Sequence, residues 1–270
     1  MDALIYNAQN KTLPTKGGSM RTLKLSIPLL TLILLTLWLV FGRGDSNALW
    51  KIVSQQCVPN QQQNNTSAPC LKVDLQKGYI VFKDAKGPLH DLIIPTDKIS
   101  GIESPILQTE NAPSLFASAW ENRKRLETEL GHPIKDSFLS LAINSESGRS
   151  QNQLHIHIAC LLPEVYQILQ RHDQRIGNTW KPLASTIKGH DYLAIKLSGS
   201  DLSKEDPFRI LGDYATQQQD KVGKYGLAVV TNKKQELLLL ANRMNLNDFN
   251  WGSAGEIQDY QCLLAGPPSR

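Results

Sequence analysis

The chain has 270 residues, of which 41 % are hydrophobic, enough apolar side chains for a core in one large or two small domains. Its net charge of +4 is concentrated at the N-terminus. Four of the 29 basic residues and one of the 25 acidic residues precede residue 43, so the remainder carries only +1. A nearly neutral folded part lacks the strong basic patch of a nucleic-acid-binding protein, and we expect no nucleic-acid partner.

The first predicted element is a membrane anchor. Residues 25–41 form an apolar run, interrupted by hydroxyl residues and Pro28, that is at the lower limit of the length needed to span a bilayer. Arg21 and Lys24 precede this run, and the positive-inside tendency places that end in the cytoplasm. We therefore predict an N-terminal extension with a single transmembrane helix in residues 1–42, and an exported domain in residues 43–270.

A cleaved signal peptide is the alternative to this anchor. The sequence directly after the apolar run, from Gly42 to Asp45, offers no small-x-small cleavage site, and we favour a retained anchor. Met20 immediately precedes the basic-then-apolar pattern, so either Met1 or Met20 is the start site. Peptide mapping of the native N-terminus decides both questions, and a mature chain beginning near Asp45 would contradict the anchor.

Four cysteines, an even number, lie in the predicted exported segment, where disulfides persist. Three connectivities are possible. A Cys57–Cys70 bond would close a short loop rich in Gln and Asn, and a Cys160–Cys262 bond would tie the C-terminus to the central part of the chain. A zinc site built from these thiols is the alternative, although the sequence has no Cys-x-x-Cys pair.

Helix and strand signals alternate along the exported segment. Apolar residues at three- and four-residue spacing predict an amphipathic helix over residues 113–130, which Gly131 ends. Further helices are predicted at residues 49–57, 163–176 and 207–213, and from the capping-box pair Ser253 and Glu256 to residue 264. Strands are predicted at residues 78–83, 90–94, 138–143, 151–160, 192–197, 226–231 and 236–241, the last two as a hairpin. This order predicts an α+β fold with a mainly antiparallel sheet and flanking helices.

Residues 151–160 carry the strongest chemical signal. Alternate side chains of a strand point to opposite faces, so Gln153, His155 and His157 would line one face while the aliphatic residues between them enter the core. Two adjacent imidazoles suit phosphoryl chemistry, because a neutral imidazole can attack phosphorus and an imidazolium can assist the leaving oxygen. The alternative is an edge strand with two solvated histidines, and the motif alone does not decide between them.

Two separated stretches resemble histidine-triad (HIT) hydrolases. Residues 90–95 are similar to a strand that these enzymes carry before their helix. QLHIHI, residues 153–158, resembles their His-φ-His-φ-His-φ-φ signature, with Asn144, Gly148 and Ser150 at the place of its phosphate loop. Most of the exported part is more closely similar to the bacterial CDP-diacylglycerol pyrophosphatases, membrane-anchored members of that superfamily. This similarity is carried by the Gln-rich loop and by PTDKISGIESPIL, LAINSESGRSQN, GHDYLAIKL, YGLAVV and EIQDYQC.

The resemblance implies a HIT-like fold and hydrolysis of CDP-diacylglycerol to CMP and phosphatidate without a cofactor or metal. It also implies a single-pass protein of the bacterial inner membrane whose catalytic domain lies in the periplasm. Since histidine-triad proteins are often dimers, a homodimer is a further expectation. His155 falls on the central, nucleophilic histidine of the triad, and His157 on the third, which contacts the phosphate and assists the leaving group. The other matching positions are substrate-binding ones: Asn144, Arg149, Ser150 and His90.

Gln153 departs from the family pattern, since it stands where the first histidine of the triad is usual. Glutamine donates and accepts hydrogen bonds but carries no charge, so we assign it a substrate-binding role and expect activity to survive. In the mechanism that follows, His155 attacks the cytidylyl phosphorus, displaces phosphatidate, and forms a CMP-histidine intermediate that water hydrolyses. Its other ring nitrogen should then donate to a backbone carbonyl or a similar acceptor.

Three alternative functions remain open from the sequence. The first is a hydrolase of soluble nucleotide pyrophosphates. The second is a catalytically inactive nucleotide- or lipid-binding protein, which Gln153 would support. The third is a metal protein that uses His155 and His157, although no third ligand is obvious.

Overall fold

The computed structural model describes residues 31–32 and 44–267. The chain divides into two units, Met1–Gly44 and Asp45–Arg270. The two possible start sites, Met1 and Met20, and almost all of the predicted membrane anchor lie outside the described residues. Among the residues described, no helix has the length and apolar character needed to cross a membrane.

The second unit begins with a helical segment that packs against the sheet. Helix α1 (Ala48–Ile52) continues through a π-helical turn (Val53–Cys57) into α2 (Val58–Asn64). The helix predicted at residues 49–57 is therefore confirmed, but the Gln-rich segment after it is also largely helical. Pro59 is the second residue of α2, directly after the π-helical turn, and Asn65 ends the helix in a left-handed conformation, with φ of 51°.

One antiparallel sheet forms the centre of the described domain, as the strand signals predict. Its order is β1-β2-β3-β5-β4-β8-β9-β7-β6, with β10 also pairing with β5. The strands of this sheet are β1 (Lys72–Asp74), β2 (Tyr79–Lys83), β3 (Asp91–Pro95), β4 (Leu139–Ile143), β5 (Ile156–Leu161), β6 (Lys181–Pro182), β7 (Tyr192–Lys196), β8 (Tyr225–Thr231), β9 (Leu237–Arg243) and β10 (Gln258–Asp259). The predicted hairpin is the β8–β9 pair, which runs from Tyr225↔Arg243 to Thr231↔Leu237.

The helices cover both faces of this sheet. The remaining helices are α3 (Leu115–Asn122), α4 (Arg125–Leu130), α5 (Pro163–His172) and α6 (Pro207–Gln217). The largest apolar cluster combines α3, α4 and α6 with one face of β4 and β5, and α5 packs on the opposite face. Because strand side chains alternate, Leu141 lies in the first cluster and its neighbour Ala142 in the second.

Two helix predictions are wrong in detail. The helix predicted over residues 113–130 is divided by a turn between α3 and α4, where the Arg123 guanidinium donates to the Trp120 carbonyl and to Asp136. The C-terminal helix predicted from Ser253 is absent from the described residues. A short 3-10 turn (Ala254–Ile257) leads instead into β10, because residues 258 and 259 complete their hydrogen bonding against β5.

The four cysteines form two disulfides. Cys57 pairs with Cys70, at a Cα–Cα distance of 5.7 Å, and Cys160 pairs with Cys262, at 5.1 Å. The structure selects one of the three possible connectivities, and the thiol-based zinc site is wrong. The second bond attaches the C-terminal segment, 102 residues further along the chain, directly to β5.

Candidate active site

His155 and His157 lie together at the start of β5. His155 immediately precedes the strand, His157 is its second residue, and their ring centroids are 4.8 Å apart at an interplanar angle of 74°. β5 pairs with β3 on one side and β4 on the other, and the two histidines are only 7 % and 3 % exposed. The alternative of an edge strand with solvated histidines is therefore wrong.

The surroundings of His155 leave one ring nitrogen available. Its Nδ1 lies 2.8 Å from the backbone carbonyl oxygen of Gln153. A carbonyl can only accept a hydrogen bond, so Nδ1 carries the proton and Nε2 keeps its lone pair. Burial lowers the pKa of His155 below its usual value, although the Gln153 carbonyl opposes this effect. The ring is therefore neutral at neutral pH, as a nucleophile or general base requires.

His90, at the residue before β3, completes a cluster of three histidines. It is fully buried, its Nε2 lies 2.8 Å from Nδ1 of His157, and its ring stacks on Tyr260 at a centroid distance of 3.9 Å. Burial lowers the pKa of His90 to about 4, an effect that Asp84 partly offsets. Burial, followed by the neighbouring His155 and His90, also holds the pKa of His157 well below its usual range. We call His90, His155 and His157 the histidine cluster.

The charge of Asp84 and one hydrogen bond order the protons of this cluster. The carboxylate Oδ1 of Asp84 lies 3.6 Å from Nδ1 of His90, too far for a hydrogen bond, but its negative charge favours a proton on that nitrogen. Nε2 of His90 then accepts from Nδ1–H of His157. Nε2 of His157 is buried and has no hydrogen-bond partner among residues 44–267. A proton bound there would be stabilised through His90 by the charge of Asp84.

Gln153 does not share a strand face with the two histidines, because β5 begins three residues after it. Its buried amide instead donates to the backbone carbonyls of Pro95 (3.1 Å) and Asp97 (2.8 Å). Both amide protons are used in this way. The amide oxygen has no partner within the described chain, but it can only accept and so cannot bond an unprotonated phosphate. The structure thus gives Gln153 a position that supports the loop before β5, and its role in substrate binding stays a prediction.

Arg149, which the sequence predicts as a phosphate donor, forms an ion pair within the protein. Its guanidinium donates to both carboxylate oxygens of Glu103, at 2.6 and 2.9 Å. Gly101 allows this approach, since a Cβ at that residue would lie 2.4 Å from Nη1 of Arg149. The bidentate pair occupies the face of the guanidinium that would otherwise hold a phosphate.

Asn144 and Ser150 lie at the two ends of the remaining predicted phosphate loop. Oδ1 of Asn144 accepts a hydrogen bond from the backbone N–H of Gly255 at 3.0 Å, which connects the end of β4 to the C-terminal segment. Ser150 is exposed and has no side-chain hydrogen bond within the described part of the chain. The residues that the structure brings together most closely are therefore the three histidines. We call residues 144–153 the polar loop.

Three site residues were not identified from the sequence: Asp84, Lys86 and Tyr260. The turn after β2 places Lys86 near the cluster, since its backbone N–H donates to Asp84 at 2.7 Å. Its charge adds to burial in lowering the pKa of each of the three histidines. Tyr260 packs so closely on this turn that a Cβ at Gly87 would lie 2.4 Å from it. Turn chemistry was the only local signal, because these contacts depend on how the chain packs.

Buried neutral histidines in an α+β domain provide the groups needed for imidazole-based hydrolysis. Within residues 44–267, no group of three or more His, Cys, Asp or Glu side chains is arranged to hold a metal ion. The chain belongs to the CDP-diacylglycerol pyrophosphatase family, a family of hydrolases whose model matches residues 44–266. The CDP-diacylglycerol pyrophosphatase of Yersinia pestis is 42 % identical to it over 240 residues, which cover 88 % of this chain and 93 % of the relative.

Proposed function

We propose that this protein hydrolyses the pyrophosphate of CDP-diacylglycerol to CMP and phosphatidate, with His155 as the nucleophile, as a step of phospholipid metabolism. Membership of the family, and the name of the Yersinia pestis relative, support the substrate. The observation that carries the mechanism is the hydrogen bond from Nδ1 of His155 to the Gln153 carbonyl. It leaves the Nε2 lone pair of a neutral imidazole free to attack.

The reaction proceeds in two steps. Nε2 of His155 bonds to the cytidylyl phosphorus while the bond from that phosphorus to the bridging oxygen breaks, and phosphatidate leaves with the electron pair. Water then attacks the CMP-histidine, releasing CMP and restoring neutral His155. A covalent intermediate divides one difficult displacement into two, and both steps use the same free nitrogen.

His157 has the geometry to stabilise the charge that moves during both steps. An anionic substrate raises the pKa of a nearby imidazole, so binding would draw a proton onto the unpartnered Nε2 of His157. His90 and Asp84 lie behind this nitrogen and would stabilise the resulting imidazolium. From there the proton can bond a phosphoryl oxygen or pass to the leaving group.

We further propose that the domain has a HIT-like fold and is held at the bacterial inner membrane, on its periplasmic side, by a transmembrane helix in residues 1–42. The antiparallel sheet and the position of His155 and His157 at the start of β5 support the fold. Two disulfides support an oxidising compartment such as the periplasm. Homodimer formation stays a prediction. Protease accessibility of residues 45–270 in spheroplasts, compared with intact cells, tests the location.

Isotope labelling tests the point of attack. Full-length protein in detergent is given CDP-diacylglycerol in water enriched in heavy oxygen, with EDTA present. We expect label in the CMP and none in the phosphatidate, and a sample quenched with denaturant at alkaline pH, where the phosphorus–nitrogen bond survives, should yield a peptide with CMP on His155. Label in phosphatidate, or loss of activity with EDTA, would contradict the proposal.

A substrate comparison separates the alternative functions. Equal turnover of CDP-diacylglycerol and of soluble nucleotide pyrophosphates would favour a hydrolase without lipid specificity. Binding of CMP by folded protein without turnover of any substrate would favour a nucleotide-binding protein.

A further inference from the structure

The segment after β9 exposes three large apolar side chains. Leu246, Phe249 and Trp251 are 57 %, 83 % and 53 % exposed, and we call these three residues the apolar patch. A soluble surface exposes single apolar residues commonly, but three within six positions mark a contact surface. Phe249 is the most exposed large hydrophobic residue described in the chain.

The backbone holds this patch in a defined shape. Asn245 and Asn250 exchange backbone hydrogen bonds of 2.8 and 2.9 Å, which closes the segment into a small loop. The buried Asn250 amide also donates to Asn242 and to the Arg243 carbonyl, so the base of the loop is fixed to β9. Phe249 has a positive φ of 53°, a conformation that side-chain-bearing residues adopt rarely. The loop therefore presents its aromatic residues outward from a fixed base.

The apolar patch is attached directly to the polar loop that leads into the catalytic strand. Ser145 Oγ donates to the Trp251 carbonyl at 2.5 Å, and Ser145 N–H donates to the Gly252 carbonyl at 2.9 Å. Gly148 lets the two segments pack closely, since a Cβ at residue 148 would lie 2.5 Å from Oγ of Ser253. The base of the patch is thus hydrogen-bonded to the chain segment that leads to His155.

The start of the domain contacts the same polar loop. Gln151 Nε2 donates to the Asp45 carbonyl at 2.9 Å, and Asn152 N–H donates to the Ser46 carbonyl at 2.6 Å. In sequence, the apolar run of residues 25–41 ends four residues before Asp45. A chain held in a bilayer by that run would therefore enter the domain at the polar loop, which the apolar patch also contacts.

We propose that Leu246, Phe249 and Trp251 form a bilayer-contact surface that inserts into the interfacial region of the membrane beside the active site. The proposal rests on the proposed function, because a lipid substrate requires the site to work at the bilayer. Aromatic side chains concentrate at this interface, where an apolar ring meets lipid and a polar edge meets water. Asp248 is the one acidic residue of the loop, and its carboxylate is bonded by Asn245, so zwitterionic lipid is the matching surface.

Kinetics in vesicles test the role of this surface. Full-length protein is reconstituted in phosphatidylcholine vesicles containing CDP-diacylglycerol, as wild type, as a Phe249→Ser/Trp251→Ser double variant, and as Leu75→Ser. Leu75 is a matched control, 45 % exposed in the turn after β1. We expect the double variant to raise the KM for the vesicle substrate about tenfold, because the anchored domain would hold its active site less closely against the bilayer surface, with little change in kcat. Leu75→Ser should match wild type.

A soluble substrate shows whether the double variant has damaged the site itself. CDP-diacylglycerol with acyl chains short enough to dissolve as monomers should be hydrolysed equally by wild type and double variant. Equal losses on the soluble and vesicle substrates would overturn the proposal, because the patch would then support the active site rather than contact lipid. A change in oligomeric mass in detergent caused by the double variant would also overturn it, in favour of a second copy of the chain as the occupant.

Fluorescence quenching measures the contact without any enzyme activity. Vesicles of phosphatidylcholine with brominated acyl chains quench tryptophans that enter the bilayer. Trp251→Phe should remove part of the quenching seen in wild type, while Trp180→Phe, whose ring packs on Tyr214, should not. Unchanged quenching in Trp251→Phe would refute bilayer contact. Quenching through Trp251 in a protein that hydrolyses none of the substrates would instead refute the proposed function and leave the surface in place.

Discussion

The histidine cluster and the polar loop lie next to each other but use their polar atoms differently. In the cluster, His155 and His157 each bind a protein atom through Nδ1. In the polar loop, the amide of Gln153 donates to two carbonyls and both terminal nitrogens of Arg149 donate to Glu103, although Nε of Arg149 is buried without a partner among the described residues. A side chain that meets a substrate needs an unused atom, and one that supports a site does not. Substitutions in the cluster should therefore reduce turnover, whereas substitutions in the polar loop should first reduce stability.

The largest expected effect is that of His155→Ala. Removing the nucleophile should lower the rate of CMP release about a thousandfold or more, with the unfolding temperature close to that of wild type. His172→Ala is the matched control, because that ring only bonds Ser185 and should retain activity. Residual activity of His155→Ala within tenfold of wild type would show that the cluster does not supply the nucleophile.

Asp84→Asn tests whether the cluster acts as a connected set. Without the carboxylate, the imidazolium of His157 loses its support through His90, so we expect kcat to fall between about tenfold and a hundredfold. KM should change little. Asp97→Asn serves as the control. Asp97 is exposed, and it accepts the Gln153 hydrogen bond through its backbone carbonyl, which the substitution leaves in place. Equal kcat values for Asp84→Asn and wild type would place Asp84 outside the mechanism.

The pH dependence follows from the lowered pKa of the cluster. Burial lowers the pKa of His155 below its usual value of 6.5, so protonation blocks attack only at pH values below 6.5. Once the pH is below that lowered pKa, kcat/KM should fall by about tenfold per pH unit. An acidic limb centred at or above 6.5 would contradict a buried neutral nucleophile.

The same burial affects stability. Folded histidines with lowered pKa values contribute stability that is present above about pH 6.5 and is lost as pH falls toward about 4, the value for His90. The unfolding temperature should therefore decline over that range, and His90→Gln should make the decline shallower. An unchanged slope in His90→Gln would assign the decline to other groups.

Arg149→Met examines the polar loop. It leaves Glu103 partly buried, bonded by the Ser100 hydroxyl but by no cation, so we expect a loss of about 2 kcal/mol in the free energy of unfolding. Activity measured well below the unfolding temperature should fall only a few fold. Glu103→Gln should destabilise in the same direction. A large rise in KM for Arg149→Met without loss of stability would instead show that the guanidinium binds the substrate phosphate.

Ser150→Ala should have the smallest effect. The side chain is exposed and makes no hydrogen bond within the described residues. The free energy of unfolding should therefore change by less than about 0.5 kcal/mol, and KM by less than about twofold. A tenfold rise in KM would restore Ser150 as a phosphate contact and weaken the contrast between polar loop and cluster.

Much of the architecture was predictable from local patterns. Alternation and turn residues identified the strands near their observed positions, including the β8–β9 hairpin, and the α+β class follows from their order. The same alternation placed His155 and His157 side by side. The helix over residues 113–130 was predicted as continuous because its apolar spacing hardly changes, whereas Arg123 turns the chain by bonding Asp136. Periodicity reports which side chains are buried, but not where a distant partner interrupts an element.

The sequence by itself determined the class of fold, the two closely spaced histidines at the start of β5 and the even number of cysteines. Tertiary structure alone decided which polar atoms remain free. His90 reaches His157 across 67 residues, and Glu103 reaches Arg149 across 46. The C-terminal segment is likewise tied by its disulfide to β5, 102 residues earlier. Hydrogen bonds and ion pairs act over a few ångströms in space, whereas sequence patterns act over a few residues of chain, so the pairing of distant groups depends on the packing of the whole domain.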